Sequence, residues 1–328
     1  MSNGHLRSVP KRTGFPPLWG PGGQSRRKNF FHGGLKAIVF LFVSGVALSS
    51  CEDTVVLETD FEEPELVVDA WLTNRSEPQT IRLTETQDYY ANRLPTPVED
   101  ARVVVCRTAP DTSCFTFLYQ GDGRYVWEPA AGDSLGAVGA EFVLGLERDG
   151  RQYASQTSLR RVPPIDSIAV RLEEESIGLD EGLYAQLYAR DFVGVGDAYL
   201  IRTTINDTLL TRPRELSLVY DATFDAGSGT DGIVFIAPIR FSINRTDEDG
   251  APQALDPGDR IRVDLWSLSP EAFFYLSVAR DQIQNGDNGI FQIPIANAPG
   301  NIFPLEGEEP VLGVFNVAAV SRAARTVE

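Results

Sequence analysis

The stretch ELVVDAWLT occupies residues 65–73 and alternates apolar side chains with others. Leu66, Val68, Ala70 and Leu72 fall on every second position. Successive side chains of a strand point to opposite faces of a sheet, so a period of two is typical of a strand with one buried face. The stretch therefore predicts a β-strand that packs on a hydrophobic core.

Runs of similar character continue along the chain and are separated by turn-forming residues. Their number and spacing predict a mainly β protein made of sandwich-like layers. The further strands are predicted at residues 80–83, 101–107, 114–119, 125–128, 141–147, 152–155, 167–173, 184–189, 199–206, 216–220, 232–237, 240–243, 260–268 and 313–320.

A diproline, Pro163-Pro164, interrupts this series of strands. Proline fixes φ and lacks a backbone donor, so two prolines in succession enforce an extended linker. We therefore predict a domain boundary at this point. A β-sandwich domain is expected over residues 66–161, and a second, mainly β, sandwich-like domain over residues 162–328.

One helix is predicted in the second domain, near residues 270–284. Ser269 is a good N-cap, and Pro270 suits the first helical position. Apolar residues then keep helical spacing until Asn285-Gly286 ends the pattern.

The N-terminal region has the pattern of a lipoprotein signal peptide. Residues 37–48 are mostly apolar, four basic residues lie between positions 26 and 36, and Leu48-Ser49-Ser50-Cys51 matches a lipobox. We therefore expect residues 1–50, with their long Gly- and Pro-rich N-terminal extension, to be removed. Cys51 is then acylated and tethers the protein to a membrane through residues 51–65, a lipidated acidic tether.

Two cysteines follow the predicted lipidation site. Cys106 and Cys114 lie symmetrically about Pro110, at the ends of two predicted strands. In a hairpin they face each other, and an exported protein is in an oxidising compartment. The placement predicts a Cys106–Cys114 disulfide.

Composition excludes several kinds of chemistry. The sequence contains neither His nor Lys from Cys51 onward, which removes imidazole bases, Schiff-base lysines and the commonest zinc ligands. Only carboxylate chemistry remains, and no motif nominates a pair of carboxylates. We predict that the protein is not an enzyme and has no catalytic residues, no metal ligands and no cofactor.

The chain is strongly acidic. Seven of the 29 basic residues and none of the 46 acidic residues precede Cys51, so the net charge from Cys51 onward is −24. The phosphates of a nucleic acid would repel such a surface, so no nucleic-acid partner is expected.

Residues 97–105, followed by residues 121–125, resemble the opening of a transthyretin-like or carboxypeptidase-regulatory-like sandwich. This resemblance implies that fold for the domain over residues 66–161.

A second resemblance spans nearly all of the chain after Cys51. It is carried by the lipobox Cys51 and the acids after it, and by residues 65–74, 97–105, 162–167, 258–273, 298–302 and 312–315. These stretches are similar to an uncharacterised outer-membrane lipoprotein family, whose members share a domain of unknown function. Its genes often neighbour those of TonB-dependent receptors. The family has no established catalytic residues, so the resemblance implies none here.

Together these observations predict a lipid-anchored accessory protein of the outer membrane, on its periplasmic or cell-surface face. It would contact the membrane through the lipid at Cys51 and assist a TonB-dependent receptor in ligand capture or uptake. One alternative is a stand-alone carbohydrate-binding or adhesion module, and another is a carboxylate-based glycosidase. The ligand and the ligand-binding residues are not predicted.

Overall fold

The structure is a computed structural model that describes residues 64–87, 93–221, 232–248, 250–285, 297–307 and 311–328. It confirms the mainly β class with one long helix. Cys51, residues 1–50 and nearly all of the tether over residues 51–65 lie outside the described residues. Within the described residues, no helix has the length and apolar character needed to cross a membrane.

The helices and strands are as follows. The strands are β1 Leu66–Thr73, β2 Gln79–Glu85, β3 Arg102–Ala109, β4 Ser113–Tyr119, β5 Arg124–Trp127, β6 Glu141–Arg148, β7 Arg151–Ser158, β8 Ile165–Glu173, β9 Gly182–Ala189, β10 Ala198–Ile205, β11 Thr208–Leu209, β12 Ser217–Tyr220, β13 Arg260–Ser267, β14 Phe303–Pro304, β15 Val311–Ala318 and β16 Val320–Thr326. The helices are α1 Ala237–Phe241 and α2 Pro270–Asn285, and a short 3-10 helix spans Pro213–Glu215.

The largest sheet is nearly closed on itself. Its strand order is β14-β7-β6-β3-β4-β5-β2-β1-β15, and an isolated parallel bridge between Arg160 and Ala318 joins the chain after β7 to the end of β15. The alternation in β1 holds, because Leu66, Val68, Ala70 and Leu72 all lie in the core that this sheet encloses.

A second layer packs beside the large sheet. It contains a five-stranded sheet, in which β11, β10, β13 and β16 follow one another and β12 pairs with β10, and the separate hairpin β8–β9. The inner faces of these strands form a second core, which includes Tyr199 and Val263, and Phe235 from the segment before α1 packs into it. A third, smaller cluster around Leu200, Trp266 and Val314 contains residues of both layers.

Strand β15 connects the two layers. It pairs in parallel with β1 over eight residue pairs, from Leu66 opposite Val311 to Thr73 opposite Ala318. The chain then crosses at Ala319 into β16, which belongs to the five-stranded sheet. The large sheet thus contains strands from both sides of the diproline. The predicted domain boundary after residue 161 stays a prediction.

Two of the predicted strands are wrong. Residues 232–237 contribute a single β-bridge at Val234, and residues 240–243 are not a strand, because helix α1 occupies Ala237–Phe241. A proline at the first turn favours the helix, and Arg240 Nε donates a hydrogen bond to the Phe235 carbonyl at 2.6 Å. The β-like composition of the segment is overridden by these local contacts.

The predicted helix and disulfide are both confirmed. The Ala272 N–H donates to Ser269 Oγ at 3.1 Å, which caps the start of α2, and the helix ends at Asn285. Cys106 lies directly opposite Cys114 in the β3–β4 hairpin, and the two are bonded with a Cα–Cα distance of 4.0 Å.

Candidate functional site

A cleft of about 350 Å³ lies between β1, the start of β2 and the five-stranded sheet. Its volume is at the lower end of the range of small-ligand sites, roughly 300–1,000 Å³. Two of the three tryptophans that follow Cys51 line it, together with three arginines. The lining residues are Trp71, Thr73, Glu77, Pro78, Gln79, Thr80, Arg202, Thr204, Asp207, Leu209, Arg262, Asp264, Trp266 and Arg322.

The charged side chains reach the cleft because of strand register. Asp264 of β13 lies opposite Arg202 of β10 on one side and Arg322 of β16 on the other. Directly opposite residues share one face of a sheet, so the three form a charged row across three strands. The neighbouring row, Leu200, Trp266 and Val320, is apolar and belongs to the third cluster. The face therefore changes from apolar to charged over two residues.

Asp264 is held by Arg322. Arg322 Nε donates to Asp264 Oδ1 at 2.5 Å, and Arg322 Nη2 donates to Oδ2 at 2.9 Å. This two-bond geometry is the strong form of the arginine–carboxylate pair, and the Asp264 side chain is only 12% exposed. Both carboxylate oxygens of Asp264 thus accept hydrogen bonds from Arg322, and this pair fixes the position of Arg322.

Arg202 lacks such a partner. Its guanidinium lies over the Trp266 ring, 4.5 Å from the ring centroid, and it makes no ion pair or hydrogen bond with any residue that the structure describes. Burial lowers the pKa of Arg202, and the positive charge of Arg262 acts in the same direction, against the attraction of Asp264 and Asp69. None of the Arg202 nitrogens is fully buried, so water can reach them, and Arg202 is a cation beside the cleft without an ion-pair partner among the described residues.

Arg262 is similar. Its Nη2 donates to Thr204 Oγ1 at 3.2 Å, and no carboxylate of the described residues lies within ion-pair distance. Arg262 also lines an adjoining recess of about 270 Å³, which shares Thr204 and Asp207 with the main cleft and contains Arg260 and Arg325. The two recesses together carry five arginines and three carboxylates.

Tryptophan side chains form the apolar part of the cleft. Trp266 is 8% exposed, and its buried Nε1 has no hydrogen-bond partner among the described residues. Trp71 is half-buried and shares its face of β1 with Asp69. Burial raises the pKa of Asp69, while a hydrogen bond from Trp71 and the charges of Arg82 and Arg202 act in the opposite direction. The two tryptophans thus give the cleft its aromatic surface, while the buried Trp266 N–H lacks an acceptor among the described residues.

The β1–β2 turn forms the rim. The Thr73 N–H donates to Gln79 Oε1 at 2.8 Å, and Gln79 Nε2 donates to the Glu77 carbonyl at 2.8 Å. These bonds, the first of them buried, fix the turn between the strands. The Glu77 carboxylate then lies 3.7 Å from Arg75 Nε and 4.0 Å from Arg322 Nη1.

The chemistry of the cleft favours binding. Each of its three carboxylates is in an ion pair: Asp264 with Arg322, Glu77 with Arg75, and Asp207 with Arg260 at 2.6 Å. Among the described residues, no group of three or more acidic, Cys or His side chains could hold a metal ion. The unpaired groups are hydrogen-bond donors, so the site is built to receive an acceptor.

The sequence-predicted site residues lie elsewhere. Cys51 is outside the described residues, and the Cys106–Cys114 disulfide belongs to the β3–β4 hairpin and does not line the cleft. Sequence reasoning missed the cleft arginines. The signal was in β13, where residues 260, 262, 264 and 266 form a polar and aromatic face opposite an apolar one. A tryptophan on a face that simply contacted water would be unexpected, so this pattern indicates a partly buried polar face.

Comparison with known proteins gives a family and no characterised relative. No curated protein matches the chain. A family model described as "Domain of unknown function (DUF4249)" matches residues 52–324, which covers the two layers and the cleft between them. Since this match extends over far more than half of the 328 residues, the chain belongs to the DUF4249 family.

Proposed function

We propose that this protein is a non-enzymatic, lipid-anchored accessory protein of the outer membrane. In this proposal the cleft between the two layers captures a small ligand and faces a TonB-dependent receptor, to which the protein delivers the ligand for uptake. The lipobox pattern at Cys51 supports the anchor, and the family resemblance described above supports the receptor.

The observation that carries the binding function is the unpaired donor set of the cleft. Arg202 is half-buried over Trp266 without an acceptor from the described residues, and the Trp266 N–H also lacks one. Buried polar groups are usually hydrogen-bonded, so the Trp266 N–H stands out, and Arg202 keeps a charge with which a ligand could pair. The cleft is more polar than most ligand sites, since ten of its fourteen lining residues are polar or charged, but it shares with them aromatic walls beside converging polar groups.

Catalysis is a weaker explanation of the same cleft. A general acid or base must be able to exchange its proton at the reacting atom, and the three lining carboxylates are each engaged by an arginine. Burial raises the pKa of Asp69, as a glycosidase acid would need, but Asp69 does not line the cleft and such a mechanism needs a second carboxyl group. The unpaired arginines have no place in that mechanism, whereas binding uses them directly.

The test is affinity purification of the tagged, full-length protein from native outer membranes in mild detergent. We expect to recover a TonB-dependent receptor in near-equal amount, and to lose it with Trp71→Ala, which removes one wall of the cleft near the rim. Trp127→Ala is the matched control, because Trp127 packs against Phe115 at 4.7 Å and does not line the cleft.

Three results would contradict the proposal in different ways. Recovery of no receptor together with glycan binding would favour the stand-alone carbohydrate-binding module. Glycoside turnover that Asp69→Asn abolishes would favour the glycosidase. Equal receptor recovery with Trp71→Ala and Trp127→Ala would show that the receptor contact does not depend on the cleft.

A further inference from the structure

Two arginines of the cleft face the same space without carboxylate partners. Arg202 and Arg262 lie on adjacent strands, with Arg202 opposite Asp264 and Arg262 two residues earlier on β13. Side chains in this diagonal relation on one face are about 7–8 Å apart at their Cα atoms, within reach of each other for arginine. We propose that Arg202 and Arg262, beside the Trp266 ring, form a subsite for an oxyanion: a carboxylate, phosphate or sulfate group of the captured ligand.

The charges around this pair are unequal. Arg322 is satisfied by Asp264, Arg260 by Asp207, and Arg325 by Glu328 at 3.4 Å. Within the described residues, each of these three has a carboxylate within 4 Å, while Arg202 and Arg262 have none. In the two recesses, the positive charges without a nearby carboxylate are therefore those of Arg202 and Arg262.

Two like charges at close range repel each other, and burial strengthens the repulsion because it lowers the effective dielectric. An anion between the two guanidinium groups would attract both, and this attraction would outweigh their mutual repulsion. The planar guanidinium offers a fork of N–H donors that matches a carboxylate or phosphate with two parallel bonds. Arg202 lies over the Trp266 ring, so an anion bound at Arg202 would also change the surroundings of the buried Trp266 N–H.

The rest of the chain makes the subsite selective. With a net charge of −24 from Cys51 onward, most of the surface repels anions. The cleft and its adjoining recess reverse this balance locally, with five arginines against three carboxylates. An anionic ligand is therefore held more favourably at this cleft than elsewhere on the surface, although the net negative charge of the chain slows its approach.

This inference rests on the proposed binding function and adds the chemical class of the ligand. A neutral sugar would leave both guanidinium groups without a counter-charge. A ligand with an acidic group would satisfy them, and its remaining part could pack on Trp71 and Trp266.

The experiment compares probe pairs that differ only in the acidic group: galacturonate with galactose, and glucose 6-phosphate with glucose. Inorganic phosphate and sulfate serve as the smallest probes. Binding to the full-length protein is measured by calorimetry and by the shift of the Trp266 indole N–H signal at constant ionic strength. We expect the acidic member of each pair to bind at least tenfold tighter, and Arg202→Met to weaken that binding about 10- to 100-fold, the range for a charge-assisted hydrogen bond.

Met preserves much of the apolar stem over Trp266, and a second variant, Arg202→Lys, keeps the charge. We expect Arg202→Lys to retain part of the affinity because the point charge remains while the fork is lost. Arg171→Met on the exposed face of β8 is the charge-matched control and should change nothing. Thermal unfolding of each variant checks that it is folded.

The inference is overturned if acidic and neutral probes bind equally, or if Arg202→Met and Arg171→Met behave alike. It is also overturned if no oxyanion probe moves the Trp266 signal at concentrations up to roughly 10 mM, a range that would reveal millimolar binding. Recovery of a receptor in the purification above together with equal binding of both probe types would remove the oxyanion subsite and leave the proposed function. Tighter binding of the acidic probes without recovery of any receptor would leave the oxyanion subsite and remove the receptor part of the proposed function.

Discussion

Replacement of Gly313 by alanine should strongly destabilise the protein, because no side chain fits at this position of the β1–β15 pair. Gly313 has φ of +104°, a conformation that residues with a Cβ rarely adopt. A Cβ built there would lie 1.9 Å from the Val68 carbonyl oxygen and 2.8 Å from the Val68 nitrogen. Gly313 is paired directly with Val68 in the parallel register, so the obstacle is the backbone of β1 itself.

The magnitude follows from two contributions. The strained φ costs about 1–3 kcal/mol for a residue other than glycine. The oxygen would have to move by roughly 1.5 Å to reach an ordinary contact of about 3.5 Å, which breaks about two ladder hydrogen bonds worth ~1 kcal/mol each. Gly313→Ala should therefore cost about 3–5 kcal/mol, a large share of the roughly 5–15 kcal/mol that stabilises a typical protein.

Urea-induced unfolding, followed by circular dichroism and tryptophan fluorescence, measures this cost. Gly145→Ala is the matched control, since Gly145 lies in β6 without a positive φ and the nearest atom to its Cβ would be the Val104 oxygen at 3.9 Å. The control should be neutral or stabilising by up to about 1 kcal/mol. Free energies of unfolding within about 0.5 kcal/mol of each other for the two variants would refute the reasoning, given that this is the usual range for harmless substitutions.

Three further predictions concern the anchor, the disulfide and acid stability. Cys51→Ala should release the protein from membranes or leave it as an unprocessed precursor, and unchanged detergent partitioning and mature size would exclude the lipid anchor. Replacing both Cys106 and Cys114 by alanine should cost about 2–3 kcal/mol of stability in urea, because the bond spans a separation of only 8 residues; two alkylatable thiols in the folded wild-type protein would rule the bond out. Burial acts to raise the pKa of Asp259, but hydrogen bonds from Asn206, the Asp256 N–H and Arg245 hold it below its ordinary value. The stability that this carboxylate contributes is therefore present above about pH 4 and lost as pH falls through its folded pKa. Asp259→Asn should lower the urea midpoint at pH 7 and reduce its decline in acid; an identical pH profile in both proteins would count against this.

The local patterns of the chain identified its regular structure well where short-range contacts determine it. The β3–β4 hairpin consists of two strands and a turn that are contiguous in sequence, and its cysteines could be paired from their spacing alone. Helix α2 follows from Ser269, Pro270 and the apolar spacing behind them. Local patterns failed for residues 232–243. A short apolar segment has no reliable period, and a proline in the first turn favours the helix that forms there.

By itself, the sequence determined the class of the fold, the position of most strands, the capped helix, the disulfide partners and the absence of His and Lys after Cys51. These properties depend on composition or on residues close together in the chain. The parallel pairing of β1 with β15 joins residues about 245 positions apart, and Arg322 meets Asp264 across a separation of 58. Strand register at such distances depends on how whole layers pack and not on any local preference. Only the tertiary structure could therefore bring Trp71, Arg202, Arg262 and Trp266 to one cleft, and show that both of these arginines lack a carboxylate from the described chain.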